Sequence, residues 1–176
     1  METSAILEKL QQQFEAEIVT SDLEALDPWI EVTPVGLVDV CRALRDEPDL
    51  RFNMLHCISG VDYFEPDPKK AAKVDWEPHI ELLYHLSSLE HKHRLVLKVS
   101  MPRWRDDAEG RLPEVPTVSH LWSTANWHER EVYDLSGIHF TGHPDLQRIL
   151  LPRDWEGHPL RKDYQQPAEY RGIRVT

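Results

Sequence analysis

The order of helical and strand-like patterns along this 176-residue chain predicts an α+β fold. Residues 37–44 carry apolar side chains at i, i+3, i+4 and i+7, the spacing of a helix with one buried stripe. Residues 79–86 and 95–101 instead alternate in polarity on either side of a polar break, which predicts an antiparallel hairpin. The chain after residue 126 has one helical pattern and then a tail interrupted by proline and glycine.

The elements before the hairpin are predicted from spacing and capping residues. From the N-terminus they are a helix capped by Ser4, a strand at Trp29–Val32, a helix opened by Thr33 and Pro34 that ends near Pro48, and a strand over residues 51–63. Residues 64–78 and 102–116 are rich in proline and charge, so both are predicted to be loops.

The length favours a single domain, and the charge argues against a nucleic-acid partner. A chain of this length buries roughly 70% of its unfolded surface, which is enough for a real core. Of the net charge of −11, residues 1–90 contribute −12, because 7 Lys and Arg face 19 Asp and Glu. Binding to phosphates needs clustered Lys and Arg, which this chain lacks.

The cysteines and the N-terminus point to a reducing, cytosol-facing location. Cys41 and Cys57 are the two cysteines, and without CxxC spacing they are predicted to be free, buried thiols. The N-terminal residues lack the basic start and apolar core of a signal peptide. No stretch approaches the roughly 18 apolar residues of a membrane span, so membrane association is predicted to come through partners.

A helix of about three turns is predicted to begin near Asn126. Asn126 and Glu129 have the spacing of a capping box, and Thr124 is an alternative cap. Gly137 is placed to end the helix in a left-handed conformation.

One face of this helix carries Trp127, Arg130, Glu131 and Asp134. Two interpretations remain open for it. The face is either a solvated surface with a weak Arg130–Asp134 ion pair or an interface that presents Arg130 and Glu131 to another protein.

The tail repeats a Gly-His-Pro turn, at Gly142 and again at Gly157. Glycine permits unusual dihedral angles, and proline holds the preceding residue in an extended conformation, so surface turns are one interpretation. Between the turns lies an apolar run, residues 149–151. Such a strip needs a groove, either in this chain or in a neighbour, so a docking tail is the other interpretation.

Other site chemistry receives little support from the motifs. The four residues His128, Glu129, His139 and His143 are the candidates for a metal-dependent hydrolase, but no HExxH motif is present and the turn at Gly142 disfavours a helical pair of histidines. Ser136 lacks the GxSxG context of a nucleophile, and no nucleotide-binding glycine motif occurs.

The segment WHEREVYDLSGIHFTGHPDLQRILLPRDWEGHPLRKDY resembles the signature of the C subunit of the proton-pumping NADH:quinone oxidoreductase, respiratory complex I. Upstream, YHLSSLEHKHRLVLKV and LWSTANWHEREVYDL resemble the same family, so the similarity runs from about residue 51 to Tyr164. Ser136 and Gln165 depart from the family pattern.

This resemblance implies a two-layer α+β domain with a mixed sheet, in residues 1–125, and a signature helix with an extended tail, in residues 126–176 of the same unit. It implies that the tail wraps over two partners in a hetero-oligomer: the B subunit, which carries an iron–sulfur cluster, and the large D subunit of the quinone site. This chain would hold no cofactor, whereas the holo-complex holds FMN, iron–sulfur clusters and quinone. The protein would lie at the cytoplasmic face of the cell membrane as a peripheral component.

The family motif also implies a set of partner-interface residues. They are Glu129, Arg130, Glu131, Tyr133 and Asp134 on the helix, Gly142, His143, Pro144 and Arg148 at the first turn, and Gly157, His158, Pro159, Arg161, Lys162, Asp163 and Tyr164 at the second. An accessory subunit of a related membrane-bound hydrogenase or of a ferredoxin-fed complex would share this motif, and it is the alternative assignment.

Overall fold

The structure, a computed structural model, describes residues 2–175. Its helices are α1 (Thr3–Phe14), α2 (Leu37–Asp46), α3 (Pro68–Ala71) and α4 (Ala125–Ser136), and a 3-10 turn spans Arg105–Asp107. The strands are β1 (Ile18–Asp22), β2 (Trp29–Val32), β3 (Met54–Tyr63), β4 (His79–Ser88), β5 (His93–Pro102), β6 (Glu114–Pro116), β7 (His139–Thr141), β8 (Glu169–Tyr170) and β9 (Ile173–Arg174).

A five-stranded sheet in the order β1-β2-β5-β4-β3 organises the molecule. β2 runs parallel to β5, whereas the other three pairs are antiparallel, so the predicted mixed sheet and the predicted β4–β5 hairpin are both confirmed. A short parallel pair, β6 with β7, and an antiparallel pair, β8 with β9, lie outside this sheet. The pairing of β7 with β6 fixes the path of the chain directly after α4.

The core lies on one face of the sheet. The alternate residues Ile80, Leu82, Tyr84 and Leu86 of β4 are buried there, in one cluster with the predicted apolar stripe of α2. Because each large apolar side chain contributes about 1.5–3 kcal/mol when fully buried, this face provides the main stabilisation of the two layers.

The opposite face of the sheet carries a row of charges rather than a second apolar layer. Lys98 on β5 places its ammonium 3.2 Å from Glu31 on β2 and 3.0 Å from Glu81 on β4. The same ammonium lies 3.8 Å from the centre of the Trp29 ring. The alternation of these residues with the buried ones fixes the register of the three strands.

Two predicted helix starts are wrong. Ser4 lies inside α1, which follows Glu2 and has no side-chain cap. α2 begins at Leu37, three residues later than the cap at Thr33 predicts. The hydroxyl of Thr33 instead accepts a hydrogen bond of 3.1 Å from the N–H of Gly36, which closes a turn before the helix.

The two predicted loops contain short regular elements. Asp67 accepts a hydrogen bond of 2.9 Å from the N–H of Lys69 and caps α3, with Pro68 at its first position. Residues 102–116 contain the 3-10 turn and β6. No helix formed by residues 2–175 has the length and apolar character needed to cross a membrane.

Candidate partner-binding segment

We call α4 and the chain that follows it, residues 125–164, the signature segment. Gly137 ends α4 in the left-handed conformation, with φ of 68°, as predicted. The predicted capping box is wrong, because neither Asn126 nor Thr124 caps the helix with its side chain. The hydroxyl of Thr124 donates to the carbonyl of Leu55 at 3.1 Å, which ties the start of α4 to β3.

Asp134 is a fully buried carboxylate that gathers the tail around the end of α4. Its Oδ2 accepts the backbone N–H groups of Ile149, Leu150 and Leu151 at 2.9, 2.7 and 3.0 Å. Its Oδ1 accepts Nη1 of Arg148 at 2.8 Å. Burial raises the pKa of Asp134, but these four hydrogen bonds outweigh it and hold the pKa below its ordinary value.

Arg130 faces the tail and not Asp134. Its Nε donates to the carbonyl of Gln147 at 3.3 Å, and its Nη1 lies 3.7 Å from Asp145. The guanidinium also lies 4.9 Å from the centre of the Trp127 ring. The predicted Arg130–Asp134 ion pair is therefore wrong, and this face of α4 is covered by the chain's own tail at both positions.

Glu129 is the second fully buried carboxylate of α4. It accepts a hydrogen bond from the hydroxyl of Thr117 and one of 2.7 Å from the N–H of Val118. Nε2 of His143 lies 3.8 Å away, and no Lys or Arg within residues 2–175 forms an ion pair with Glu129. Burial disfavours the charged form more than the two hydrogen bonds favour it, so the pKa of Glu129 rises to about 7.

The two Gly-His-Pro turns hold opposite ends of α4. Gly142 and Gly157 have φ of 79° and 78°, the left-handed values that favour glycine. Nε2–H of His143 donates to the carbonyl of Asn126 at 3.1 Å, in the first turn of the helix. Nδ1–H of His158 donates to the carbonyl of Asp134 at 3.0 Å, in the last turn. The turns lie at the surface, but their histidines point inward.

The second turn is also anchored to the sheet through a cluster of four charges. Nε of Arg103 donates to Asp62 at 2.7 Å, and Nη2 of the same arginine lies 2.9 Å from Asp163 in the tail. Nη2 of Arg161 donates to the carbonyl of Arg103 at 3.0 Å, and its guanidinium stacks 3.7 Å from the centre of the Trp104 ring. Burial and the neighbouring Arg103 lower the pKa of Arg161. This arrangement fastens the tail to the edge of the sheet.

The motif-derived interface residues therefore divide by exposure. Glu129, Asp134 and Arg161 are buried, and the contacts described above hold their side chains inside this chain. Arg130, Tyr133, His143, Arg148, His158, Pro159, Asp163 and Tyr164 are half-buried, and Glu131, Gly142, Pro144, Gly157 and Lys162 are exposed.

The motif missed the apolar side chains that the segment leaves in solvent. Trp127, Leu150 and Leu160 are 62%, 59% and 57% exposed. Trp127 lies on the polar side of α4, the backbone of Leu150 is itself held by Asp134, and Leu160 precedes the anchored Arg161. An apolar side chain at a polar position of a helix is a signal that sequence analysis can use.

Residues 2–175 contain no group of three His, Cys, Asp or Glu side chains that could hold a metal ion. Nδ1 of His139 lies 3.7 Å from Glu114 and Nε2 of His143 lies 3.8 Å from Glu129, but no three of the four candidate hydrolase residues form such a group. Cys41 and Cys57 are free thiols, as predicted, but Cys57 is half-exposed.

The family of the chain follows from a match over most of its length. The family described as respiratory-chain NADH dehydrogenase, 30 Kd subunit, matches residues 30–170. The chain belongs to this family. The C subunits of NADH-quinone oxidoreductase, which the signature segment resembles, are among its relatives, so the assignment made from that motif is confirmed.

Two relatives show how far the similarity extends. The C subunit of the NADH-quinone oxidoreductase of Roseiflexus castenholzii is 42% identical over 169 residues, covering 96% of this chain and 87% of the relative. The C subunit of Chlorobium phaeobacteroides is 40% identical over 172 residues, covering 97% and 93%. The similarity thus includes most of the first 50 residues, where the sequence showed little of the motif.

The fold of this chain is also present in a solved structure. A chain of the membrane-bound sulfane sulfur reductase, an archaeal respiratory membrane complex, superposes with a TM-score of 0.69 over 96% of this chain and 88% of that chain. Identity between the two is 24%, so the comparison supports the α+β fold alone.

Proposed function

We propose that this chain is a structural and assembly subunit of the peripheral arm of NADH:quinone oxidoreductase and holds no cofactor of its own. The complex transfers electrons from NADH through FMN and iron–sulfur clusters to quinone and couples this transfer to proton translocation. The observation that carries the proposal is a signature segment that is anchored internally by buried polar contacts and still exposes Trp127, Leu150 and Leu160.

Anchoring and exposure together favour a preorganised interface. Asp134 fixes the backbone of residues 149–151, so Leu150 is held in place before any partner arrives. A preorganised surface avoids the ordering cost that a flexible tail would incur on binding. Tryptophan is enriched among the residues that dominate binding energy, and Trp127 is held beside Arg130.

The partners we propose are the B subunit, which carries an iron–sulfur cluster, and the large D subunit of the quinone site. Iron–sulfur clusters need about four thiolates, and Cys41 and Cys57 are the cysteines of this chain. The redox groups are therefore assigned to the other subunits, and the chain is non-catalytic when isolated. We place it at the cytoplasmic face of the membrane, attached through these partners.

Affinity purification from membranes of the native host tests this function. The tagged chain is expected to recover the iron–sulfur and quinone-site partners together with a flavin- and NADH-binding protein. Recovery of equivalent partners with a hydrogenase or ferredoxin-fed module would instead assign the chain to a related complex. Recovery of the chain alone from intact membranes would contradict the proposal.

A matched pair of variants locates the interface. Trp127→Ala combined with Leu150→Asp is expected to reduce recovery of the partners at least tenfold, because the exposed apolar side chains are lost. Leu26→Asp is the control, since Leu26 is 98% exposed and lies outside the signature segment. Unfolding of the isolated variants, followed by circular dichroism, is expected to stay at the parent's midpoint. Equal recovery from the two variants would remove the signature segment as the interface.

A further inference from the structure

β3 is a long edge strand of the sheet. It has ten residues and pairs with β4 on one side only, with one shift of register between Leu55 and Cys57, whereas the other edge strand, β1, has only five residues. An edge strand presents a row of unpaired N–H and C=O groups, and proteins usually blunt such an edge with proline, lysine or a covering element. The sequence of β3, MLHCISGVDY, contains no proline, lysine or arginine.

The hydrogen bonding of the inner strands fixes the direction of each backbone group. The N–H of Val96 on β5 donates to the carbonyl of Pro28 at 3.2 Å, so the backbone groups of Val96 point away from β4. Successive residues of a strand point to opposite sides, so the groups of Leu97 point toward β4 and pair with Tyr84. Tyr84 therefore has no backbone group left for β3.

The same alternation identifies the open groups of β3. His85 points toward β3 and faces Cys57, whereas Tyr84 faces Ile58. The register is unbroken from Cys57 onward, so the N–H and C=O groups of Ile58, Gly60 and Asp62 point away from the sheet.

The open stretch is bounded by contacts at both ends. The hydroxyl of Thr124 donates to the carbonyl of Leu55, and the N–H of Lys162 donates to the carboxylate of Asp62 at 2.8 Å. Within residues 2–175, the outward backbone groups of Ile58 and Gly60 make no hydrogen bond. The six residues between the two contacts span about 20 Å, at roughly 3.3 Å a residue, which is the length of a short strand.

A groove runs beside this edge, between β3 and α4, with a volume of about 270 Å³. Ile58 of β3, Val132 and Leu135 of α4, and Leu160 of the tail give it apolar walls. Glu131, which is exposed and forms no ion pair within the described residues, also lines it. Unpaired backbone groups next to an apolar pocket are the two requirements for the addition of a strand.

We propose that an extended segment of a partner protein adds to β3 as a sixth strand. Its backbone pairs with the outward groups of Ile58 and Gly60, an aliphatic side chain enters the groove beside Leu160, and a basic side chain pairs with Glu131. A basic partner fits better than a second copy of this chain, because two copies would bring together two molecules of net charge −11 and two unpaired Glu131 carboxylates. This inference rests on the proposed function and specifies one of its contacts.

Residue-resolved hydrogen exchange of the isolated chain and of the purified membrane complex tests the added strand. In the isolated chain the amides of Ile58 and Gly60 are expected to exchange at least tenfold faster than those of Ser59 and Val61, which point to β4. In the complex the first two are expected to slow at least a hundredfold. Equal exchange of Ile58 and Gly60 in both samples, with the chain still in the complex, would overturn the added strand and leave the function intact.

A side-chain variant gives an independent readout. Leu160→Glu is expected to reduce recovery of the partners at least tenfold and to leave Ile58 and Gly60 unprotected, whereas Leu26→Glu changes neither. Unchanged recovery and protection with Leu160→Glu would exclude the groove. An isolated dimer that already protects these amides would show that the occupant is a second copy and overturn the assignment to a partner. A chain absent from the membrane complex would overturn both the strand and the function.

Discussion

Glu129 and Asp134 are two fully buried carboxylates on the same helix, and their surroundings shift their pKa values in opposite directions. Asp134 has a guanidinium and three backbone N–H groups, which stabilise its charge. Glu129 has one hydroxyl and one N–H, which do not compensate for its burial. The number and charge of the donors, not burial itself, decide whether a buried acid is ionised at neutral pH.

The two Gly-His-Pro turns of the tail also differ, in the number of ionic contacts around each one. His143 binds the start of α4 and lies near Glu129, with its Nδ1 accepting the N–H of Asp145 at 3.0 Å. His158 binds the end of α4, where the adjacent Asp134 and the Arg103 cluster add ionic contacts. We therefore expect the second turn to be held more tightly than the first, although both repeat the Gly-His-Pro sequence.

Replacing Asp134 is expected to have the largest effect. In Asp134→Asn the new NH₂ group must face either Arg148 or the N–H groups of residues 149–151, so donors meet donors. Breaking a buried pair of this kind typically costs about 3–5 kcal/mol. Urea unfolding of the purified chain measures the loss. Asp154→Asn, in an exposed pair with Arg171, is the control and leaves the midpoint unchanged. A change in Asp134→Asn as small as the control's would mean that the tail is not held by this carboxylate.

Replacing Glu129 is expected to change the pH dependence of stability with the opposite sign to Asp134. The folded state holds a proton on Glu129 up to about pH 7, whereas the unfolded state releases it near 4.5. The stability that Glu129 contributes is therefore complete below about pH 4.5 and falls as pH rises to 7. At 1.36 kcal/mol for each pKa unit, the fall is about 3 kcal/mol.

Glu129→Gln isolates this contribution, because the amide stays neutral and all other groups titrate as in the parent. Unfolding free energies of parent and variant, measured from pH 4.5 to 8, are expected to diverge up to pH 7 in favour of the variant and then run parallel. A difference that stays constant over this range would show that Glu129 is charged throughout.

Periodicity predicted the parts of the fold that depend on apolar burial. The stripe of α2, the alternation of β4 and β5, and the stop at Gly137 all follow from residues near one another in sequence. The start of α3 could also have been predicted from the sequence, because Asp67 followed by Pro68 is a common start of a helix. The composition of this segment alone indicates a loop.

The contacts of the signature segment could not be predicted in the same way. On a helical wheel Asp134 lies among charged residues and indicates a solvated face, yet its donors come from residues 148–151. The donors to Glu129, Thr117 and Val118, precede α4 and directly follow a segment that is predicted to be a loop. Such contacts depend on how the tail folds back, which local spacing does not encode.

Replacing the glycine of each turn with alanine is expected to distinguish the two turns, with a smaller loss of stability than the changes at Asp134 and Glu129. Both Gly142→Ala and Gly157→Ala place a side chain at positive φ, which costs about 1–2 kcal/mol. A Cβ at Gly142 comes within 3.6 Å of Thr117, an ordinary contact, whereas at Gly157 it comes within 3.1 Å of the Tyr164 ring. Gly157→Ala is expected to lose about 1 kcal/mol more in urea unfolding, as overpacking does. Tyr164→Ala in the same chain should remove that excess, and an equal loss at the two glycines would contradict the tighter second turn.

Asp145→Asn is expected to have the smallest effect, and it tests whether an ion pair helps to hold the first turn. The Asp145 side chain is 56% exposed and lies 3.7 Å from Arg130, so the ion pair is screened by solvent. Exposed pairs contribute little, and we expect a loss below about 0.5 kcal/mol in urea unfolding. The Arg130 contact to the carbonyl of Gln147 remains in this variant. A loss above about 1 kcal/mol, the upper end for exposed pairs, would mean that the first turn, like the second, depends on an ionic contact. The two turns would then differ only in the buried carboxylate beside each one, which for the first turn is Glu129 with its raised pKa.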